Sequence, residues 1–265
     1  MRGIGNRVAI VSGGATSIGA EIVRAFCEEG AGVVIADIDA GEGIRLAGAI
    51  GDAAMFVRTD LASDDDIKAC VAAAVAQFGR VDFVVNAAAL YQDQGAASSR
   101  ADWARSFDVN VTGPVMLACA ARPHLAAVKG AVVNVCSISG KVAQAGRWTY
   151  PASKAALMQA TRSLALDFAE DDIRVNGVSP GWTWSGGMEK LGLTRAAVDR
   201  VAAPFHLPGR AGDRRDVAEA VLFLCSEHAR FVSGADLPVD GGYSALGPEG
   251  RPSAFAALAA VMEQA

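Results

Sequence analysis

Short apolar runs alternate with segments of helical periodicity along almost the whole chain of 265 residues. Strands that are apolar on both faces are typical of parallel sheets covered by helices on either side. Right-handed crossover connections then predict an α/β fold with a doubly wound parallel sheet of about seven strands. The predicted strands are Arg7–Ser12, Gly32–Asp37, Ala53–Arg58, Val81–Asn86, Ala131–Cys136, Ile173–Val178 and Ala235–Val239.

The segments between these strands carry apolar residues at helical spacing. One long stretch, Ser179–Gly212, departs from this pattern and is rich in glycine and proline, as expected of a binding loop or lid. No linker or repeat divides the chain, so residues 1–265 are predicted to form one domain, with a substrate loop at about 180–212 and a C-terminal extension at about 247–265. The predicted helices are Ile18–Glu29, Ala40–Ile50, Asp64–Gln77, about 101–128, Pro151–Glu170, Arg215–Ser226 and Ala254–Met262.

Charge and cysteine usage exclude several classes of protein. A net charge of −5 without a basic tail argues against a nucleic-acid partner or an anionic membrane surface. The five cysteines are odd in number and widely spaced, which predicts no disulfide framework and a reduced, cytoplasmic compartment. The three histidines lack metal-ligand spacing, and no apolar run reaches the roughly 18 residues of a membrane span. We therefore expect neither a metal site, a membrane segment nor an export signal.

A glycine-rich turn, Ser12–Gly19, joins the first predicted strand to the first predicted helix. Glycines such as Gly13 and Gly19 let the backbone bend sharply and approach a pyrophosphate, and the free N–H groups of the helix attract that anion. A plain strand-to-helix turn has the same composition, so the motif alone leaves both interpretations open. Its place at the first strand–helix junction favours a dinucleotide.

Asp37 ends the second predicted strand, where a carboxylate can accept hydrogen bonds from both hydroxyls of an adenosine ribose. It would repel a 2′-phosphate, and the neutral residues Ala15 and Ile38 offer that phosphate no cation. The pattern therefore favours NAD over NADP. An alternative is that Asp37 and Asp39 only cap the next helix, which for Asp39 is an equally good explanation.

Two further strand ends carry candidate nucleotide contacts. Asp60 either binds the adenine amino group or simply ends the third strand. Asn86 opens a run of small residues, Ala87–Ala89, over which a nucleotide can lie close to the backbone. Both positions belong to the carboxyl edge of the predicted sheet, on the same side as the glycine-rich turn.

Tyr150 and Lys154 are spaced to lie on one face of a helix. A nearby ammonium and a positively charged nicotinamide would lower the pKa of the phenol, which then accepts a proton from an alcohol while hydride leaves for the cofactor. A tyrosine and a lysine at this spacing, without further motifs, are more often an exposed pair on a helix surface than a catalytic pair. Ser137 follows the fifth strand, can hydrogen-bond the substrate oxygen, and so favours catalysis. Asn110, inside a predicted helix, indicates either a local kink or a water held in a proton relay behind Lys154.

Taken in order, these motifs resemble those of the short-chain dehydrogenase/reductase family, in its shorter, single-domain subclass. The likeness covers residues 6–243, nearly the whole chain. It implies a Rossmann fold, a nicotinamide cofactor, and a soluble homotetramer or, next most commonly, a homodimer. It also implies a catalytic tetrad made of Asn110, Ser137, Tyr150 and Lys154. The motifs that carry it are Ser12–Gly19, Asp60 with Leu61, Asn86–Ala89, Asn110, Ser137, Tyr150 with Lys154, Asn176, Pro180 with Gly181, and Asp240–Gly242.

The sequence departs from the family pattern at several positions. Ser12 replaces the usual Thr and keeps its hydroxyl, whereas Ser17 replaces the usual Gly and adds a side chain near the pyrophosphate. The usual Asn-Asn-Ala-Gly run is reduced to Asn86–Ala89, and Ser185 stands where the family often has a Thr that touches the carboxamide. The implied cofactor contacts are Ser12, Gly13, Ser17, Ile18, Gly19, Asp37, Asp60, Leu61, Asn86, Ala87, Ala88, Tyr150, Lys154, Pro180, Gly181, Thr183 and Ser185.

By the same resemblance, the substrate lies over the nicotinamide between residues 88–92, 139–148 and 182–188. Three of the four tryptophans fall in the last two segments, which predicts a hydrophobic or ring-bearing substrate, although each is equally well explained as a core or oligomer contact. Lys141 and Arg147 either bind an anionic group of the substrate or lie on a solvated face. The predicted substrate contacts are Ser137, Ser139, Gln144, Trp148, Tyr150 and Trp182.

The sequence thus predicts an NAD-dependent oxidoreductase that interconverts a secondary alcohol and a ketone, with Tyr150 as the general acid/base. Two alternatives stay open: an NADP-dependent carbonyl reductase and a non-catalytic cofactor-sensing protein. Asp37 argues against the first, and the presence of both Tyr150 and Lys154 argues against the second. We expect the loop Ser185–Leu207, with hinges at Gly186–Gly187 and Pro208–Gly209, to close over the substrate.

Overall fold

Seven parallel strands form one sheet in the computed structural model, which describes residues 1–247, 250 and 254–262. The strands are β1 Val8–Ser12, β2 Gly32–Asp37, β3 Ala54–Arg58, β4 Phe83–Asn86, β5 Ala131–Val135, β6 Arg174–Pro180 and β7 Asp236–Val239. Their order across the sheet is β3-β2-β1-β4-β5-β6-β7. The predicted doubly wound parallel sheet is therefore confirmed, and each observed strand overlaps a predicted one.

Helices cover both faces of this sheet. They are α1 Ser17–Glu28, α2 Ala40–Ile50, α3 Asp64–Phe78, α4 Arg100–Phe107, α5 Gly113–Val128, α6 Thr149–Asp167, α7 Gly186–Lys190, α8 Arg195–Ala202, α9 Arg214–Cys225 and α10 Ala254–Met262. The helices α1, α2 and α9 pack on one face through side chains such as Phe26, Leu46 and Leu222. The helices α3, α5 and α6 pack on the other face, with Val71 and Leu117 among their buried residues. This double cover explains why the strands are apolar on both faces.

The direction of the crossovers reverses at β1. This strand pairs with β2 on one side and with β4 on the other. Such a switch point opens a crevice at the carboxyl ends of the strands, where open parallel sheets bind their ligands. Ser12, Asp37 and Asn86 end β1, β2 and β4, and Ser137 follows β5, so all four lie at this end.

The helix predicted over about 101–128 is interrupted by a π-helical turn, Asp108–Thr112, with Asn110 at its centre. A π turn within a helix often marks a functional site. The continuous helical stretch Arg100–Val128 is long and apolar enough to cross a membrane. Buried core helices meet the same criteria of length and composition. Leu117 of its second half is fully buried against the sheet.

The stretch Ser179–Gly212, predicted to be irregular, contains α7, α8 and a 3₁₀ turn. The hydroxyl of Thr194 accepts a hydrogen bond from the Ala197 N–H and so begins α8, a capping signal that the glycines and prolines around it obscure. The apolar side chains of this segment pack into a small core of their own, formed by Trp182, Trp184, Met188, Val198, Ala202 and Ala211.

Candidate active site

The glycine-rich turn between β1 and α1 has no room for a side chain at Gly13 or Gly19. Gly13 has a φ of +66°, and a Cβ at this position would lie 2.5 Å from backbone atoms of Ala88. A Cβ on Gly19 would overlap the carbonyl oxygen of Gly13. The turn therefore packs backbone against backbone on the residues that follow β4, as the predicted cradle for a pyrophosphate requires.

The N-terminus of α1 follows this turn without a side-chain cap. Thr16 is the N-cap residue, but its side chain makes no capping hydrogen bond, and the first turn of α1 contains no acidic residue. Ser17 adopts a left-handed φ of +52°, which costs roughly 1 kcal/mol for a residue other than glycine and explains the glycine preference at this position. An anion at this helix end gains N–H donors and the positive end of the helix dipole.

Asp37 lies beside the glycine-rich turn. One of its carboxylate oxygens accepts a hydrogen bond from the Ala15 N–H and the other from the Asp39 N–H, each at 3.0 Å. Asp39 in turn caps α2 by accepting a hydrogen bond from the Glu42 N–H at 3.0 Å. The capping interpretation is therefore correct for Asp39, whereas Asp37 places a carboxylate next to the cradle, where the ribose of a dinucleotide is predicted.

Ser12 and Asn86, predicted as cofactor contacts, use their side chains inside the protein. The Ser12 hydroxyl donates to Asn86 Oδ1 at 3.4 Å, and the Asn86 amide donates to Asn134 Oδ1 at 2.8 Å. All three side chains are buried. They hold β1, β4 and β5 together beneath the cradle. Ser12 and Asn86 can therefore contact a cofactor only through their backbone groups.

Other predicted cofactor residues near the cradle are also engaged within the protein. Asp60 accepts a hydrogen bond from the Ala62 N–H at 2.9 Å, which fits its alternative role of ending a strand. The side chain of Leu61 is buried in the core on the α3 and α5 face, and that of Ile18 packs against the core on the opposite face. Leu61 and Ile18 can therefore contact a nucleotide through their backbone groups but not through their side chains.

Pro180 ends β6, and Gly181 follows it in a tightly enclosed position. A Cβ on Gly181 would lie 2.9 Å from Nε2 of the buried His206 imidazole. The Thr183 hydroxyl donates to the Gly181 carbonyl at 3.2 Å, and Ser185 precedes α7. The structure thus places this predicted carboxamide-binding segment at the same edge of the sheet as the cradle.

Tyr150 and Lys154 lie in the first turns of α6, and both side chains are buried. The hydroxyl of Ser137 lies close enough to the Tyr150 phenol to act on it, since it opposes the rise in the Tyr150 pKa. The Lys154 Nζ donates to the carbonyl of Val135 at 2.7 Å and lies 5.8 Å from the centre of the Tyr150 ring. The structure therefore brings together the predicted Ser137, Tyr150 and Lys154 at the end of β5.

Burial governs the ionisation of these groups. Burial raises the pKa of Tyr150 well above its ordinary value, Tyr91 raises it further, and Ser137 and Arg147 oppose the shift. Burial also lowers the pKa of Lys154 to about 8. Desolvation is therefore the largest influence on Tyr150 in the protein alone, and the lowering expected from an ammonium together with a positively charged nicotinamide stays a prediction.

Tyr91 adds a second phenol to the site. Its ring stacks on that of Tyr150, with centroids 5.0 Å apart and planes inclined by 27°. The two phenols influence each other's pKa, and desolvation raises the pKa of Tyr91, although 60% of the residue is exposed. Tyr91 therefore forms the outer wall of the site and acts directly on the Tyr150 hydroxyl.

We expect Tyr91→Phe to shift the pH profile of alcohol oxidation to lower pH. The variant keeps the stacked ring but removes the hydroxyl that raises the Tyr150 pKa, so Tyr150 loses its proton at a lower pH. The measurement is kcat/KM against pH, with Tyr243→Phe as the control. A profile that stays in place or moves to higher pH contradicts this role of Tyr91.

Asn110 is buried in the π-helical turn, and its side chain is fully used. Its Oδ1 accepts a hydrogen bond from the Leu90 N–H at 2.7 Å, and its Nδ2 donates to the Leu90 carbonyl and to Ser153 Oγ, each at 3.0 Å. The side chain thus ties the loop after β4 to α6, which agrees with the local-kink interpretation. A relay through Asn110 behind Lys154 stays a prediction.

Asp93 is a site residue that sequence reasoning missed. One carboxylate oxygen accepts hydrogen bonds from the N–H groups of Trp148 at 2.7 Å and Tyr150 at 3.0 Å, and the other accepts one from Gly95 at 2.9 Å. Burial opposes its ionisation, but these bonds and Arg147 hold the pKa of Asp93 below its ordinary value. Asp93 therefore caps the catalytic helix. The available signal was that Trp148, the residue before α6, has no capping side chain of its own.

The predicted substrate residues have different environments. Ser139 donates its hydroxyl hydrogen to Gln144 Oε1 at 2.9 Å, so these two side chains are bound to each other. Trp148 is 51% exposed. Trp182 instead packs into the small core of its own segment, 6.1 Å from the ring of Phe205. For Trp182 the core interpretation is therefore the better one.

Lys141 and Arg147, the two cations considered for an anionic substrate, also differ. The Lys141 Nζ lies 2.6 Å from Asp236 Oδ2, so this lysine is held in an ion pair and neither predicted alternative describes it. The Arg147 guanidinium lies over the Tyr150 ring, with Cζ 4.7 Å from the ring centre. Of the two, Arg147 alone has its charge directed at the active site.

Comparison with known proteins supports the class that this geometry indicates. A family model described as Enoyl-(Acyl carrier protein) reductase matches residues 13–244. The cis-4-hydroxycyclohexanecarboxylate dehydrogenase of Sinomonas cyclohexanicum is 39% identical over 91% of this chain and 97% of its own length. The trans-4-hydroxycyclohexanecarboxylate dehydrogenase of the same organism is 33% identical over 91% and 94%. A solved structure of 7α-hydroxysteroid dehydrogenase, complexed with NADH and 7-oxo glycochenodeoxycholic acid, has a TM-score of 0.84 at 30% identity, covering 90% of this chain and 94% of that one.

The chain belongs to the short-chain dehydrogenase/reductase family. The predicted resemblance is confirmed, and so is the predicted class of oxidoreductase. Three features of the structure fit a bound dinucleotide. The cradle has no space for a Cβ at Gly13, the first turn of α1 has no side-chain cap, and the Asp37 carboxylate lies beside it.

Proposed function

We propose that the protein is an NAD-dependent dehydrogenase that interconverts a ring-bearing secondary alcohol and its ketone. The observation that carries this is the buried group of Ser137, Tyr150 and Lys154, gathered at the end of the sheet that holds the glycine-rich cradle. The ring-bearing substrate is supported by three relatives whose names contain cyclohexane or steroid rings.

The chain's own residues provide the proton chemistry. Ser137 donates a hydrogen bond to the substrate oxygen, and Tyr150 accepts the hydroxyl proton as the carbonyl forms. Bound NAD supplies the hydride acceptor and a positive charge near the phenol. Lys154, buried beneath the site with a pKa lowered to about 8, holds its ammonium against the Val135 carbonyl. Asp93 fixes the start of α6 and thereby the direction in which the Tyr150 side chain points.

The cofactor preference rests on the charges around Asp37. Arg58 is its partner in register across β2 and β3 and is the cation that would suit a 2′-phosphate. Its guanidinium is instead bonded to Asp66 Oδ2 at 3.1 Å. Asp37 therefore presents an uncompensated carboxylate at the ribose position, which favours NAD and disfavours the NADP-dependent alternative.

We expect Asp37→Asn to remove most of the preference for NAD. The amide still accepts a hydrogen bond from Ala15 N–H, but it no longer repels a phosphate and binds ribose hydroxyls less strongly. Hydrogen bonds to a charged group are worth about 1.5–3 kcal/mol, so NAD binding should weaken about tenfold or more. Calorimetric Kd values for NAD and NADP measure this. The control is Asp39→Asn, which changes the charge equally at the helix-capping carboxylate. If both variants left the ratio of the NADP Kd to the NAD Kd unchanged, the proposal would be contradicted.

The assembly and the compartment extend the proposal beyond the single chain. We propose a homotetramer, or otherwise a homodimer, on the strength of family membership, and a cytoplasmic location on the strength of cysteine usage. All five cysteines are free thiols in the structure. Analytical ultracentrifugation at micromolar concentration measures the assembly, and a monomer would contradict it.

A further inference from the structure

Arg147 is a cation at the mouth of the active site. Its Cζ lies 4.7 Å from the centre of the Tyr150 ring, and its charge acts on Tyr91 and Asp93 as well. In the part of the chain that the structure describes, no carboxylate lies within ion-pair distance of its guanidinium. A half-buried guanidinium held over an aromatic ring is fixed in place and partly dehydrated, which strengthens its attraction for an anion.

The other charged side chains near Arg147 are held in interactions within the protein. Lys141 is paired with Asp236 at 2.6 Å, and Lys154 is buried against the Val135 carbonyl. Asp93 is the carboxylate that interacts with Arg147, but its two oxygens accept three backbone hydrogen bonds and hold the start of α6. Arg147 is therefore the one cation that the described part of this wall offers to a substrate.

The geometry matches a particular kind of molecule. The Tyr150 hydroxyl, which Ser137 influences from the end of β5, marks where the reacting oxygen of the substrate must lie. The Arg147 guanidinium lies over the face of the same phenol ring, with Cζ 4.7 Å from the ring centre. Guanidinium groups bind carboxylates through two parallel hydrogen bonds. A ring-bearing substrate with one alcohol and one carboxylate therefore offers a matching polar group to each of these two residues.

We infer that Arg147 is a specificity-determining residue that binds a carboxylate of the substrate, so that the substrate is a ring-bearing hydroxy acid. This inference rests on the proposed dehydrogenase function and narrows its substrate class. The names of two relatives contain a hydroxycyclohexanecarboxylate, and the compound in the similar structure is also an acid.

The test compares an anionic with a neutral ligand of the same shape. The Kd values of cyclohexanecarboxylate and cyclohexanecarboxamide are measured by calorimetry in the presence of NAD, for the wild type, Arg147→Gln and Arg147→Lys. We expect the wild type to prefer the carboxylate and Arg147→Gln to lose at least about tenfold of that preference. Arg147→Lys should keep part of the preference for the carboxylate, because lysine retains the positive charge but lacks the paired N–H donors of the guanidinium. Arg162→Gln is the control, because it removes an exposed arginine of α6 whose guanidinium donates a hydrogen bond to Gln159 at 2.8 Å.

Turnover separates this inference from the proposed function. Oxidation of cis-4-hydroxycyclohexanecarboxylate and of 4-methylcyclohexanol is followed with the same variants, and the ratio of their kcat/KM values removes any effect of Arg147 on Tyr150 itself. We expect Arg147→Gln to lower the ratio at least about tenfold. Equal binding of carboxylate and amide, or a ratio that Arg147→Gln leaves unchanged while both alcohols are oxidised, overturns the inference and leaves the dehydrogenase intact. Carboxylate binding that depends on Arg147 without oxidation of any ring alcohol supports the site and overturns the proposed function.

Discussion

Tyr150→Phe is expected to lower kcat for alcohol oxidation by at least about 100-fold, because it removes the group that accepts the substrate proton. The phenylalanine keeps the ring that stacks on Tyr91 and lies beneath Arg147, so the packing of the site is retained. The loss should therefore appear in kcat at all pH values, with the Kd for NAD changed by less than about threefold.

Two measurements make this result specific. Calorimetry with NAD shows whether the variant still binds the cofactor, and thermal unfolding shows whether it still folds. If kcat stayed within about tenfold of the wild type, a group other than Tyr150 would be accepting the proton. If activity were lost together with NAD binding, Tyr150 would be acting in cofactor binding and not in proton transfer.

Gly13→Ala is expected to have the second largest effect, on both NAD binding and stability. A left-handed φ costs an alanine roughly 1–2 kcal/mol, and the new Cβ would lie 2.5 Å from the backbone of Ala88. Neither backbone segment moves easily, since β1 and β4 are paired in the centre of the sheet. We expect a loss of about 2 kcal/mol or more in the free energy of unfolding, and NAD binding weakened at least about tenfold.

Gly48→Ala is the matched control for this substitution. Gly48 lies within α2, and a Cβ at this position has no atom within 4 Å. Alanine is the better helix former, so this variant should gain roughly 0.5–1 kcal/mol and leave NAD binding unchanged. Urea denaturation and calorimetry measure both quantities. A Gly13→Ala variant that bound NAD like the wild type would show that the turn is not a cofactor cradle.

The sheet was predictable because its strands are short, apolar and regularly spaced. β2 and α2 have the predicted bounds, and the other strands differ from prediction by a few residues at their ends. The relation of Tyr150 to Lys154 was predictable for the same kind of reason, since helical spacing decides which residues share a face. Local pattern therefore accounts for the fold and for the arrangement of the catalytic helix.

The remaining features depend on contacts that are distant in the chain. The π-helical turn at Asn110 follows from bonds to Leu90 and Ser153, and neither is visible in the local periodicity. Asp93 caps a helix that begins far along the chain. Lys141 was misjudged because its partner Asp236 lies on the last strand of the sheet. The shift of the Tyr150 pKa likewise required the burial that only the folded site provides.

The proposed dehydrogenase function is tested most directly by the absorbance of the reduced nicotinamide when purified protein is mixed with a ring-bearing secondary alcohol. NAD and NADP are offered separately, with cis-4-hydroxycyclohexanecarboxylate and neutral cyclic alcohols as substrates. We predict that NADH forms, that NADPH forms far more slowly, and that Tyr150→Phe abolishes the signal. Binding of NAD without its reduction by any ring alcohol in the panel would contradict the dehydrogenase function and would favour a cofactor-sensing protein.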